Sequence, residues 1–195
     1  MTSSILKRIA RSSVASSSTP FRAPWKTATA TLGFALVATS AAAAITNVNG
    51  DVVQIVPAPA SVVLGAIQSN LDIFTFNERC VLLAADLPVD GGFIPAGTWV
   101  KSHFIHSDPL AVSALGGSVQ FASPILAVIS TTADLYSSDP ILGKSQVDYP
   151  PAGMEPLRGL EGGDAYAIVG AGLGISVAFM TSDASDQLRV ITLCP

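Results

Sequence analysis

The sequence is short of charge, and the shortage is uneven. Asp, Glu, Lys and Arg make up only 12% of its 195 residues, about half the usual quarter. No acid occurs before Asp51, while all fourteen lie from there onward. Histidine is limited to His103 and His106, and cysteine to Cys80 and Cys194. The chain has no Gly-x-Ser-x-Gly elbow, no His-Glu-x-x-His pair and no phosphate-binding loop of the Gly-x-x-x-x-Gly-Lys-Ser/Thr type. Those absences leave out the α/β-hydrolase, zincin and P-loop chemistries. There is no internal repeat and no alternation of strands with helices, which excludes solenoids and parallel α/β sheets. At 49% hydrophobic the chain is too apolar for intrinsic disorder.

The acid-free start has its own logic. Lys7, Arg8, Arg11, Arg22 and Lys26 precede an apolar run, Ala28 to Ala44, that ends in four alanines. A basic region, a short apolar centre and small residues before Ile45 describe a secretory signal peptide. No Arg-Arg pair marks the twin-arginine route. A membrane anchor is the competing reading, but the run is short and rich in Ala, Thr and Ser. The expected organisation is therefore a leader over residues 1–44 and one domain over 45–195. That domain keeps fourteen acids against five bases, Arg79, Lys101, Lys144, Arg158 and Arg189, a formal charge of −9. Such a surplus repels nucleic acid and anionic lipid. Both cysteines lie in the exported part, where a Cys80–Cys194 disulfide is expected.

The pattern of the exported part is that of strands. Gly97 to Pro109 reads as one long strand between turns. Val100, Ser102 and Phe104 fall on one face, and Trp99, Lys101, His103 and Ile105 on the other. Neither face is purely polar, so this strand belongs inside a sheet. Further strands are expected at Val52 to Val56, Ser61 to Ala66, Leu71 to Phe76, Cys80 to Ala84, Ser118 to Phe121 and Ile125 to Ile129. Asp164 to Val169 and Ile175 to Thr181 read as a hairpin, and Gln187 to Leu193 as the closing strand. Asp86 to Gly92 and Leu110 to Gly117 read as loops, and Thr131 to Tyr136 as one helical turn capped by a threonine. Lys144 to Gly163, with three prolines and four glycines, is the longest irregular connection. This spacing predicts an all-β, antiparallel β-sandwich or jelly-roll-like single domain.

Few residues invite chemistry. Metal-binding histidines on one strand face should stand two apart; His103 and His106 stand three apart and so face opposite sides. His106 beside Asp108 could form one corner of a site. Calcium takes oxygen ligands from loop carboxylates, which makes Asp86, Asp90, His106 and Asp108 the metal candidates, with turn formation the competing role for each acid. The glycines at 170, 172 and 174 lie between two strands and so read as a turn. Trp99, Phe93, Tyr136, Tyr149 and Tyr166 are candidates for a sugar-binding face or for the core.

Several stretches together carry a resemblance: Leu64 to Asn70, Phe76-Asn77-Glu78, Gly97 to Asp108, Gly117 to Phe121 with Ser123 to Leu126, Ser138-Asp139 with Leu142-Gly143, Gly159-Leu160-Glu161, and Asp186 to Thr192. In these the chain resembles a group of exported bacterial proteins, many with a C-terminal Pro-Glu-Pro-type sorting tail. The resemblance implies no catalytic residues. Cys194-Pro195 takes the place of such a tail, so release or periplasmic residence is expected. The functional expectation is a non-enzymatic exported protein that binds a glycan or matrix protein or packs into an extracellular matrix, with no nucleic acid partner and no membrane anchor after cleavage. The alternatives are a calcium-dependent carbohydrate-binding module and a secreted hydrolase using loop carboxylates or His106. Mass analysis of the exported protein should show residues 1–44 removed and a gain of two hydrogens on reduction. A retained leader, or a mass unmoved by reductant, contradicts the reading.

Overall fold

The computed structural model describes residues 44–181 and 184–194. The leader expected over 1–44 thus lies outside the described residues except for Ala44, which is buried and accepts a hydrogen bond from Ala122 N through its carbonyl. The strands are β1 (Ile45–Gly50), β2 (Val52–Gln54), β3 (Ile73–Leu82), β4 (Leu87–Val89), β5 (Gly92–Ile94), β6 (Trp99–Ser107), β7 (Ser113–Phe121), β8 (Ile125–Ile129), β9 (Ala165–Val169), β10 (Gly174–Thr181) and β11 (Asp186–Leu193). One α-helix, α1 (Thr132–Leu142), and a 3₁₀ turn at Gly170–Gly172 complete the elements among the described residues.

Two sheets face each other. One has the order β1-β7-β10-β9, the other β2-β3-β6-β11-β8; β4 and β5 form a separate hairpin. Every ladder is antiparallel except β2–β3. This is the all-β sandwich expected. The long strand β6 lies between β3 and β11, as its two-faced pattern required.

The five-stranded sheet is covered on both sides, which explains that pattern. On the sandwich side Ile73, Ile105, Leu188 and Val190 meet Val119, Phe121, Ile175, Val177 and Phe179 of the other sheet. On the opposite side Phe76, Val100, Phe104 and Ile191 pack with Leu135 and Leu142 of α1 and with Val62, Leu87 and Val147. The second core makes this a three-layer structure around β6.

Several local expectations are corrected. Ser61 to Ala66 is no strand; it makes a single bridge, Ser61 to Asp148, and turns. The strands expected over Leu71 to Phe76 and Cys80 to Ala84 merge into one, β3, which starts at Ile73, ends at Leu82 and carries a register shift between Asn77 and Cys80. Asp86 to Gly92 contributes strand β4 and the turn of a hairpin. Gly116-Gly117 lies inside β7 and not in a loop. A Cβ at Gly117 would stand within contact distance of Asn49 O and Val52 Cγ2, so glycine there serves close approach of β1 and β2, not a turn. The helix runs eleven residues, through Pro140, where one turn was expected. Thr131 does cap it, accepting from Asp134 N at 3.2 Å.

The disulfide joins Cys80 to Cys194 across 114 residues of sequence. Closing so long a loop in the unfolded chain is worth about 4–5 kcal/mol in loop-entropy terms. Replacing both cysteines by serine should therefore lower the denaturant midpoint strongly while leaving the β-sheet circular dichroism of the folded state intact. An unchanged midpoint would show that the cross-link does not constrain the unfolded chain.

Candidate functional site

Arg189 is the place to begin. On β11 it shares a face with Ile191, where an apolar residue would be the default, and it is fully buried. Its Nε and Nη2 donate to the two carboxylate oxygens of Glu78 at 2.7 and 2.8 Å. Nη1 donates to Ser138 Oγ at 2.6 Å, and Nη2 also reaches Asp139 Oδ1 at 2.9 Å. Glu78 follows Phe76 by two in β3 and so shares its face, toward the helix, beside a register shift between Asn77 and Cys80. Glu78 also accepts from Tyr149 Oη at 2.5 Å and from Ser102 Oγ.

A second guanidinium shares the same acid. Arg158, also fully buried, donates to both oxygens of Asp139 at 2.5 and 3.0 Å. Its Nε donates to Gln187 Oε1 at 2.5 Å. Aromatic rings floor both cations: Arg189 Cζ lies 5.1 Å from the Phe104 centroid, and Arg158 Cζ 5.0 Å from that of Tyr136. Two guanidiniums and two carboxylates thus form a formally neutral network between β3, β11 and α1. Burial by itself would lower the Arg189 pKa, but the Glu78 and Asp139 carboxylates override it and raise it. Burial, with the Glu78 carboxylate after it, pushes the Tyr149 hydroxyl upward, so it stays a donor.

The two histidines part as their spacing required. His103 lies on the sandwich side, its ring 4.7 Å from that of Phe121. Its Nδ1 is 2.8 Å from Asn77 Oδ1 and its Nε2 is 3.1 Å from Thr192 Oγ1. His106 lies on the other side, with Nδ1 3.1 Å from Gln187 Nε2. Because Gln187 Oε1 is taken by Arg158, its nitrogen faces the ring, and the imidazole proton resides on Nε2. Burial lowers both pKa values to about 3, aided by the charge of Lys101 at His103 and of Arg158 at His106.

His106 and Asp108 do share a buried polar compartment, joined by Glu155, Ser185 and Gln187. Two successive amides of the segment above it bond its acids: Leu64 N to Glu155 Oε1 at 2.7 Å and Gly65 N to Asp108 Oδ2 at 2.6 Å. Ser185 Oγ donates to the other Glu155 oxygen at 3.0 Å. His106 Nε2 and Asp108 Oδ1 are buried without a hydrogen-bond partner of good geometry. The Ile67 backbone and the Gln68 side chain still act on them, each opposing the shift that burial imposes. A cavity of about 150 Å³ adjoins Glu155 and Ser185. The compartment is a strap anchored by acids; Gln187 stands between His106 and Ser185 and bonds both.

Asp86 and Asp90 are elsewhere. Asp86 Oδ1 accepts from Ala96 N, closing the β4–β5 hairpin. Asp90 accepts from Ser130 N and from Tyr166 Oη, tying that hairpin to the sandwich. Among the described residues no three His, Cys, Asp or Glu side chains stand close enough to hold a metal ion. Of the aromatic candidates, Tyr136 and Tyr149 pack on the guanidiniums, while Phe93 and Trp99 are exposed. Glu78, Arg158 and Arg189 were not among the sequence candidates. An arginine alternating with Ile191 and Leu193 on a strand was the available signal.

Beside the network lies an open cleft of about 330 Å³, lined by Arg79, Asp139, Lys144, Ser145, Val147 and Tyr149. Comparison with protein families, curated proteins and solved structures finds no match to this chain.

The neutral histidines set a pH dependence. The unfolded chain binds their protons below about pH 6.5, whereas the folded chain refuses them until about 3. Their contribution to stability is thus complete above pH 6.5 and is lost as pH falls toward 3, at about 1.4 kcal/mol per histidine per unit. Asp108, raised chiefly by burial, works in the opposite sense and offsets part of the loss. The melting temperature should fall between pH 6.5 and 4.5, and His106→Gln should flatten the slope. A flat profile for the unaltered protein would contradict the assignment.

Proposed function

We propose that this is an exported, non-enzymatic β-sandwich protein that acts by binding in the extracellular space. The observation that carries the proposal is the balanced interior network. Its carboxylates are committed to guanidiniums, its tyrosine is held protonated and both histidines are held neutral, so the strongest polar chemistry in the fold works as scaffold. Catalytic groups are tuned toward the working pH, whereas both histidine pKa values here lie far below neutrality. The disulfide suits an oxidising compartment, and the resemblance to exported bacterial proteins points the same way. In this reading Asp86 and Asp90 form turns and do not bind calcium.

Two measurements test it. Thermal unfolding in a calcium chelator should match unfolding in calcium, since a ligand that binds only the folded state would raise the transition. A chelator-dependent drop would favour a calcium-dependent module instead. Incubation with ester and polysaccharide substrates should give no turnover; turnover abolished by Glu155→Gln or Ser185→Ala would make it a hydrolase.

A further inference from the structure

We propose that the cleft beside Tyr149 is an anion subsite, built by Arg79 and Lys144, for the carboxylate or sulfate groups of an acidic extracellular polysaccharide. The inference rests on the binding role proposed above and assigns that role a place and a ligand chemistry.

The argument is one of charge balance. Five bases lie in the part of the chain from residue 45 on. Arg158 and Arg189 are fully buried and are matched by Glu78 and Asp139. Asp139 also reaches the cleft, but its carboxylate is already bound to both guanidiniums. The floor of the cleft is therefore neutral, and the two rim cations, Arg79 and Lys144, make no salt bridge with any described residue. Lys101, the remaining base, lies close enough for Lys144 to disfavour its charged form, although burial is the larger influence on it. From residue 45 on the chain has a surplus of nine acids, yet two of its three accessible cations, Arg79 and Lys144, line one concave surface. Such focusing raises the local concentration of anions.

A structural role for these bases exists and is incomplete. Arg79 Nε and Nη2 both donate to the carbonyl of Ile141, in the last turn of α1, at 3.0 and 2.5 Å. That satisfies one helix-end acceptor and offsets the negative helix pole, yet leaves Nη1 available. The Lys144 ammonium is given no such task; its backbone amide donates to Tyr149 Oη at 3.1 Å and its carbonyl accepts from Val147 N at 3.0 Å. Gly143-Lys144-Ser145 also differs in placement from a phosphate loop, since it follows a helix and does not open one. The Gly143 amide is bonded to Asp139 O, so recognition here falls to side chains. Two cations, the exposed Ser145 and part of the Tyr149 ring suit a charged sugar, which offers oxyanion, hydroxyls and an apolar ring face together. The cleft volume is at the lower end of small-ligand sites.

The test is binding of the oxidised protein to a soluble polyuronate, a sulfated galactan and neutral dextran, at low and at physiological salt, by calorimetry. At least one of the two acidic polymers should bind and dextran should not, with affinity falling as salt rises; which one binds distinguishes carboxylate from sulfate. Lys144→Gln should weaken binding about tenfold with an unchanged melting temperature. Ser176→Glu, on the far sheet, makes the same change in net charge and should leave binding near that of the unaltered protein. Equal weakening by the two variants would overturn the subsite and leave a general charge effect. Binding of dextran as tightly as the polyuronate would overturn the anion chemistry while sparing the binding role. Failure of all three polymers would overturn the subsite outright, and the substrate incubations above then decide the broader reading separately.

Discussion

The ion pair between Arg189 and Glu78 is the constraint on which the helix side of this fold depends. Isolated, either charge would be forbidden at zero solvent exposure, because desolvation of an unpaired ion costs several kcal/mol. Together they satisfy each other through two parallel hydrogen bonds, and the remaining donors of Arg189 reach Ser138 and Asp139 on the helix. Removing one partner of such a pair commonly costs about 3–5 kcal/mol. The pair joins the middle of one sheet to the layer packed on it, and Arg158 extends it into the long irregular connection that contains it.

That constraint also accounts for the boldest departure of structure from local sequence. Ser137-Ser138-Asp139-Pro140 has the composition of a helix stop, yet α1 passes through it. Ser138 and Asp139 are the residues that Arg189 and Arg158 grip, and Arg79 holds the Ile141 carbonyl beyond the proline. Tertiary charge contacts outweigh a propensity difference of this size. The same logic explains why the long connection after Lys144 is ordered. Tyr149 and Arg158 anchor it to the network from either side.

The large-scale architecture was legible because it depends on period-2 patterning, which β6, β10 and β11 carry plainly. The two histidine faces followed from a spacing of three, and the disulfide from there being two cysteines after the expected leader. What was not legible arose from contacts between distant residues. Gly116-Gly117 looks like a turn unless β1 and β2 are known to press on it. Ser61 to Ala66 looks like a strand unless its amides are known to bond Glu155 and Asp108. The charge network joins residues 78, 139, 158 and 189, so no local window contains it, and only the odd arginine in β11 hinted that the apolar face had a polar partner.

The place of β11 in the sheet order has a consequence for how the protein is made. It lies between β6 and β8, yet among the described residues it is the last strand in chain order. A ribosome-bound chain that has released everything up to residue 185 still lacks the ladder on which both neighbours close, and it also lacks Arg189. Such a polypeptide has a gap through its main sheet and a Glu78 without its guanidinium beneath the helix.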